Sequence, residues 1–439
     1  MKEKHADMKK VYYCSVIAIN ENIYMYYNAF NNNFLIMNAE KHSIIKDNLP
    51  DEISKIDSDL YTVLVEGEFI IEDSIDETAI VEYHKLLRKM DTNQYNIVIN
   101  TTLDCNLNCW YCYESKIAGS LLTEKTIEII KKNITQKYDE TPYKELKISF
   151  FGGEPLMNFD AIQDILSYCK DFTVQKNIRL IADFTTNATL LTEKQLLFLQ
   201  DYNCLFQITL DGYEDNHDKI RFLKEGKEKT YKTIVSNIHK IQNYIKESKI
   251  WVRVNFDNKT LERFSEILND LSDLDRKKTF LIIRKIWQYP IDKINKELIL
   301  KSIQLAIDNK FYIDNYSIPR YDPCFADRLN QVLINYDGKI FKCSTIEHFD
   351  DANSEGTICE ETGKVNWDMN KLAKKFTATT PDKCHKCKIF PVCLGPCGKN
   401  TPKDTQVDFS CMHENAGFSM DEYIMYAYKL NKLESELFS

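Results

Sequence analysis

The chain has 439 residues, 44% of them hydrophobic and 28% charged, a balance typical of soluble globular proteins and too long for one ordinary core, so two or three domains are expected. A formal net charge of -9 argues against a general nucleic-acid binder, and no apolar run is long enough to span a bilayer. The start, MKEKHADMKKVYYCSVIAI, lacks an apolar core followed by a cleavage site, so a cytoplasmic protein is expected, whose 14 cysteines read as metal ligands rather than disulfides.

VYYCSVIAI, NIYMYYNAF and NFLIMN read as strands parted by the polar turns NEN and NNN. AEKHSIIKDNL reads as a short helix, and DSDLYTVLVEGEFIIED as a further helix and strand. Residues 1–90 thus form a small α+β unit. From residue 95 the pattern becomes strands alternating with helices, the mark of a parallel sheet with crossover helices. The strands are YNIVINTTL, ELKISFFGG, RLIADFTTN, LFQITLDG, KIWVRVNFDN and TFLIIRKI. The helices between them are TEKTIEIIKKNITQKY, FDAIQDILSYCKDF, EKQLLFLQDY, TYKTIVSNIHKIQNYIKE and TLERFSEILNDLSDL. Seven cysteines then fall between Cys324 and Cys411, and the tail SMDEYIMYAYKLNKLESELF is helical by its apolar spacing. Cys169 and Cys204, set among apolar residues, read as buried small hydrophobes.

Chemistry concentrates at CNLNCWYC, where Cys105, Cys109 and Cys112 follow the first strand in C-x3-C-x2-C spacing. Thiolates are the ligands of iron–sulfur clusters, which normally take four; three would leave one iron open for a small molecule. A zinc knuckle with a remote fourth ligand is the competing reading. Gly152, Gly153 and Glu154 end the second strand, where glycines permit close approach and a carboxylate can accept from an ammonium. A tight strand-to-helix turn is the plain alternative.

The C-x3-C-x2-C loop with an aromatic, Tyr111, before its third cysteine resembles radical S-adenosylmethionine (SAM) enzymes. The resemblance implies a partial (β/α)6 barrel over residues 91–312 and a 4Fe–4S cluster on Cys105, Cys109 and Cys112. Its open iron holds SAM, which is cleaved to a 5′-deoxyadenosyl radical that takes a hydrogen from the substrate. Tyr111, Gly152, Gly153, Glu154, Thr186, Asn187, Thr209 and Arg221 match family positions around SAM; Asn255 is a weaker match. Cys324, Gly338-x4-Cys343, Cys384-x2-Cys387-x5-Cys393-x3-Cys397 and Cys411 resemble the SPASM extension, expected at residues 313–418, with two auxiliary clusters. By that resemblance Cys384, Cys387, Cys393 and Cys411 hold the distal cluster, and Cys324, Cys343 and Cys397 the nearer one. Zinc ribbons are the competing reading.

Two departures matter. DNYSIPRYDP has no cysteine where relatives with a complete set have one; Cys359, outside the pattern, or a substrate thiolate would have to fill the place. Ser344 follows Cys343 where sulfatase-maturing relatives have an acidic base; Glu347 or Asp350 is a nearby substitute. The expected activity is a thioether or carbon–carbon crosslink in a ribosomally made precursor peptide. The rivals are sulfatase-maturing-type oxidation and a non-enzymatic iron–sulfur protein. Residues 1–90 would be a winged-helix-like unit binding the peptide's leader or, equally, a structural cap, and residues 419–439 a docked helix. A flavodoxin or ferredoxin is the expected electron donor, with no nucleic-acid or membrane partner.

Overall fold

The computed structural model describes residues 7–286, 288, 290, 293–314, 322–400, 411, 417 and 419–439. Residues 315–321 of DNYSIPRYDP, and 401–410 of the expected auxiliary domain, lie outside the described residues.

The N-terminal unit places β1 (Met8–Lys10) against β5 (Ile70–Glu72) and forms an antiparallel sheet from β2 (Cys14–Asn20), β3 (Ile23–Asn28) and β4 (Asn33–Asn38). Helices α1 (Ala39–Asp47), α2 (Pro50–Ile56) and α3 (Ser58–Glu66) follow; Asn38 and Asp57 cap α1 and α3 by accepting from Lys41 N–H and Leu60 N–H. The two sheet faces part by the period-2 rule. Tyr26 and Met37 pack on the helices with Ile45, Ile53, Leu60 and Leu64, while Ile17, Met25 and Tyr27 join the core of the main body. Sequence patterning missed α2 and, more importantly, α4 (Glu77–Met90), which Asp76 caps.

The central sheet runs β6 (Gln94–Thr102), β7 (Glu145–Gly152), β8 (Arg179–Thr186), β9 (Cys204–Leu210), β10 (Ser248–Phe256) and β11 (Thr279–Lys285), all parallel. Helices α5 (Glu124–Glu140), α6 (Phe159–Lys176), α7 (Glu193–Leu199), α8 (Glu214–Ile220) and α9 (Tyr231–Tyr244) lie between them. The helix expected over 260–274 is two, α10 (Asn258–Glu262) and α11 (Phe264–Asp270), broken at Arg263, whose guanidinium lies 3.7 Å from the centre of the Tyr213 ring.

The sheet does not stop at six strands. After α12 (Lys296–Asp308), β12 (Tyr312–Ile313) adds in parallel beside β11. At the other edge β13 (Gln331–Ile334) runs parallel to β6, followed by antiparallel β14 (Ile340–Phe341), β15 (Gly356–Ile358) and β16 (Val365–Trp367). The cysteine-rich region thus continues the same sheet. Short helices α13 (Met369–Phe376), α14 (Asp382–His385) and α15 (Phe390–Cys393) complete it. The tail is α16 (Met420–Phe438), opened by a Ser419–Glu422 capping box and docked by Ile424, Ala427 and Leu430, with Lys296–Glu422 and Lys310–Glu436 ion pairs.

One face of the sheet is apolar: Phe150, Phe184 and Phe206 stack across three strands with centroids 5.2 and 5.0 Å apart. Each such buried ring contributes roughly 1.5–3 kcal/mol. Cys169 and Cys204 are buried in this core. The opposite, half-buried face carries Lys147, Ser149, Asp183, Gln207, Thr209 and Arg253, with Lys147 and Asp183 paired at 2.8 Å. On β7, β8, β9 and β10 the polar side chains thus share the face opposite the phenylalanines, and the strands' carboxyl ends carry the site.

Candidate functional site

The loop after β6 crosses those carboxyl ends. Cys105 is buried, Cys109 half-buried and Cys112 exposed. Leu107 N–H donates to Cys105 Sγ at 3.4 Å, and Asn187 Nδ2 lies 3.9 Å from the same sulfur. Asn108 N–H donates to Phe222 O (3.1 Å), Lys224 N–H to Asn106 O (2.8 Å), and Lys224 Nζ reaches Asp104 Oδ1 at 2.7 Å. Burial pushes the Cys105 thiol up to about 12 and raises Cys109 as well. A coordinated metal would reverse this, because a coordinating thiol is deprotonated.

Gly152 and Gly153 press on this loop rather than on open space. A Cβ at Gly152 would meet Thr102 O at 2.0 Å, and one at Gly153 would meet Asp104 O at 2.0 Å. Gly152 also has φ +114, which L side chains rarely adopt. Gly153 N–H and Glu154 N–H donate to Thr102 O and Asp104 O. The glycines therefore weld the second strand's end to the start of the cysteine loop. Fully buried Glu154 accepts from Thr186 Oγ1 (2.6 Å), Asn187 N–H (2.7 Å) and Leu156 N–H (3.0 Å). Asn187 Nδ2 donates in turn to Asn106 Oδ1 at 2.9 Å, so three of the expected residues, Glu154, Thr186 and Asn187, form one bonded unit with Asn106 beside Cys105.

A second hub centres on Asp211, in the stretch Thr209-Leu210-Asp211-Gly212 that closes the fourth strand, of which only Thr209 is expected as a site residue. Asp211 is fully buried and accepts from Tyr111 Oη at 2.7 Å, Arg221 Nε at 3.0 Å and Asn255 Nδ2 at 2.9 Å. Arg221 Nη2 also donates to Tyr111 Oη (2.7 Å). Burial alone would raise the Asp211 carboxyl, but the Arg221 charge, His217 and these hydrogen bonds hold it below the ordinary range. The aromatic residue between Cys109 and Cys112 is thus fixed to the ends of β9 and β10. Half-buried Thr209 sits on the polar face of β9, opposite Arg253 of β10.

His217 Nδ1 accepts from Asp211 N–H at 3.1 Å, and its Nε2 is 3.1 Å from Thr230 Oγ1. Burial lowers its pKa to about 4. In the unfolded chain an ordinary histidine titrates near pH 6.5, so the unfolded state takes up the proton first as pH falls. Stability is full above that pH and declines until the folded group titrates near 4. Between pH 7 and pH 5 this one group removes about 2 kcal/mol. Denaturant midpoints of wild type and His217→Gln at the two pH values check this: the variant should lose less by that amount.

The cysteine-rich end adjoins this loop. Ser115 Oγ donates to Glu347 O at 2.6 Å and lies 2.8 Å from His348 Nδ1. The Tyr113 side chain, 46% exposed, lies within electrostatic reach of Glu114, Arg253, Cys112 and Cys343. Burial first, then Cys393, Cys411 and Cys387, push the Cys384 thiol up to about 12. Cys324 and Cys397 share a hydrogen bond that raises the first thiol and lowers the second. Asp327 fastens the pair: it stands one turn after Cys324 and accepts Gly398 N–H at 3.1 and 2.9 Å. Thiolate donors suit iron–sulfur clusters. Among the described residues no three His, Cys, Asp or Glu side chains gather tightly enough for a single metal ion.

Cys359 does not join these thiols. Ile340 pairs antiparallel with Gly356, so from that pair the chain leaves toward Cys343 in one direction and toward Cys359 in the other. Cys359 lies on a hairpin whose tip rests on α5, where Asn133 Nδ2 donates to Gly363 O at 2.8 Å. Glu347 and Asp350 are exposed, and Ser344 is buried.

Residues 99–271 match the Radical SAM superfamily. The radical SAM cyclopropyl synthase TigE of Paramaledivibacter caminithermalis is 26% identical over 407 residues, 83% of this chain and 82% of its own. A cysteine-type anaerobic sulfatase-maturating enzyme of Clostridium novyi is 24% identical over 333 residues, 68% of this chain and 86% of its own. Native anSMEcpe with bound AdoMet and Kp18Cys peptide superposes with a TM-score of 0.59 at 17% identity, covering 78% of this chain and 99% of that one. Streptococcus suis SuiB bound to S-adenosylmethionine gives 0.50 at 13%, covering 92% and 99%. These likenesses show the fold. No helix among the described residues is long and apolar enough to cross a membrane.

Proposed function

We propose, for a chain that carries a radical SAM domain across residues 99–271, that it installs a carbon–carbon or thioether crosslink in a ribosomally made precursor peptide. The observation that supports this is the contact between the segment after Cys112 and the cysteine-rich end, where Ser115 Oγ donates to Glu347 O at 2.6 Å and lies 2.8 Å from His348 Nδ1. When bound, a 4Fe–4S cluster with SAM supplies a carbon radical that removes a hydrogen atom from the substrate.

Cys105, Cys109 and Cys112 would hold that cluster. Gly152, Gly153, Glu154, Thr186, Asn187 and Thr209 would shape the SAM side, the first five by holding the loop under Cys105. Arg221 already spends its fork on Asp211 and Tyr111, so its part is to fix the tyrosine rather than to wait as a lone carboxylate receptor. Cys384, Cys387, Cys393 and Cys411 would hold a distal auxiliary cluster, and Cys324, Cys343 and Cys397 a nearer one. Three thiolates leave that nearer cluster one position for a substrate group. A flavodoxin or ferredoxin would supply electrons.

Similarity to a protein named a cyclopropyl synthase favours carbon–carbon bond formation. Sulfatase-type oxidation draws support from the sulfatase-maturating relatives, but buried Ser344 stands where those enzymes have an acidic base. The N-terminal sheet would take the peptide's leader at an edge strand, since β2 and β4 expose Val16 and Ile36 there. Co-expression with a candidate peptide should give a product lighter by two hydrogens, with a link visible on fragmentation. Lysines at Val16 and Ile36, which block strand addition, should weaken peptide affinity about tenfold or more and leave uncoupled SAM cleavage unchanged. An unlinked oxidised residue would favour the sulfatase-type reading, and absence of any SAM cleavage a non-enzymatic one.

A further inference from the structure

Helix α4 is built inside out. Its exposed side carries Tyr83, Leu86, Leu87 and Met90, while Glu77, Lys85 and Lys89 are buried. Buried charge is costly unless it has partners, and here the partners lead to the Cys384–Cys387 turn. Lys85 is 7% exposed; its Nζ donates to Thr380 Oγ1 at 2.7 Å and lies 4.0 Å from Glu82 Oε2. Glu82 Oε1 is 2.9 Å from Nε2 of His385, the residue after Cys384. The Cys384 thiol lies within the Lys85 field, which lowers its pKa against burial and the neighbouring thiols.

The N-terminal unit locks this arrangement. Tyr13 Oη donates to His385 O at 3.1 Å and Tyr12 Oη to Lys386 O at 3.2 Å. Lys388 Nζ lies 3.8 Å from the centre of the Tyr12 ring and donates to Tyr12 O. Glu77, at the start of α4, accepts Tyr12 N–H and Tyr13 N–H at 2.8 and 3.2 Å. The turn between two thiols of the distal set is therefore held on one side by phenols and on the other by a half-exposed acid, Glu82, paired with a buried base, Lys85.

We propose that Glu82 and Lys85 are positioning residues that set the reduction potential of a cluster on Cys384, Cys387, Cys393 and Cys411, Lys85 raising it and Glu82 lowering it. This rests on the reading of those four thiols as a cluster site. One electron entering such a cluster adds negative charge, which the buried Lys85 ammonium stabilises and the half-exposed Glu82 carboxylate opposes more weakly.

The test is a mediated redox titration of the anaerobically reconstituted full-length enzyme, followed by electron paramagnetic resonance. Lys85→Met should shift the distal midpoint to lower potential, Lys85→Arg should keep it near wild type, and Glu82→Gln should shift it upward. The signal that depends on Cys105, Cys109 and Cys112 should stay in place throughout. Opposite shifts are not what lost packing produces. If Lys85→Met does not fold, Glu82→Gln decides the sign alone. Unmoved potentials, or shifts in one direction, overturn the proposal. A wild-type signal that survives Cys384→Ala with Cys387→Ala overturns the cluster reading beneath it instead.

Discussion

Replacing Cys105, Cys109 and Cys112 together by Ala is expected to end SAM cleavage, measured as 5′-deoxyadenosine, and to lower bound iron by about four per chain. Iron and spectroscopic signals that depend on Cys384 and Cys324 should remain. The fold should survive, because the loop is anchored by other groups. Lys116 Nζ donates to Leu107 O, Asn108 N–H to Phe222 O, and Asp104 pairs with Lys224. Only Cys105 is buried, so the loss of packing is that of one small side chain. Cleavage persisting in the triple variant would falsify the radical SAM reading of this loop, whatever became of the iron.

Asp211→Ala carries the second large effect. The substitution leaves the Arg221 guanidinium buried and unpaired, which costs about 3–5 kcal/mol. It also frees Tyr111 and Asn255 Nδ2 from their shared acceptor. Because the folded Asp211 carboxyl titrates below its ordinary value, its contribution is present above the unfolded pKa near 3.9 and is lost only in acid below it. The destabilisation should therefore be the same at pH 6 and pH 8. Replacing both partners with Asp211→Leu and Arg221→Met should restore much of the stability, since an apolar pair of similar volume is often neutral. SAM turnover should not return with it, because Tyr111 keeps no anchor at β9. Chemical denaturation and 5′-deoxyadenosine assays separate the two. Recovery of turnover in the double variant would show that the hub serves stability alone.

The parts legible in the sequence were those with local periodicity. Strands β7 and β9 alternate strictly, β6 is an almost continuously buried run, and the helices carry ordinary caps such as Thr123 and the Thr192–Gln195 box. Helix α4 escaped because its pattern is inverted, with lysines inward and leucines outward. No periodicity rule assigns a face when the polar groups are the buried ones. Asp211 escaped for another reason. Its partners Tyr111 and Asn255 are 100 and 44 positions away, so its role exists only after the strands have aligned. The glycines were read by residue type as a ligand contact, whereas the backbone atoms of Thr102 and Asp104 already fill the space beside them. Cys359 was separated from the other thiols by the register of one hairpin, which composition does not reveal.

The long reach of the N-terminal contacts also sets a timetable for synthesis. Tyr13 finds its acceptor on His385, 372 positions later, and β6 gains its outer neighbour only when β13 has been made. At about 5–20 residues per second the ribosome needs roughly 20–90 s for the whole chain. Tyr111, Asp211, Arg221 and Asn255 all precede residue 286, so the first thiol loop has its anchors while the cysteines from Cys324 onward are still unmade. The N-terminal unit precedes part of its packing: Tyr13 lies against Phe390 and Phe34 against Tyr428, so these contacts form only once those residues have been made. The contacts of Tyr12 and Tyr13 with the Cys384–Cys387 turn therefore close only after that turn has been made.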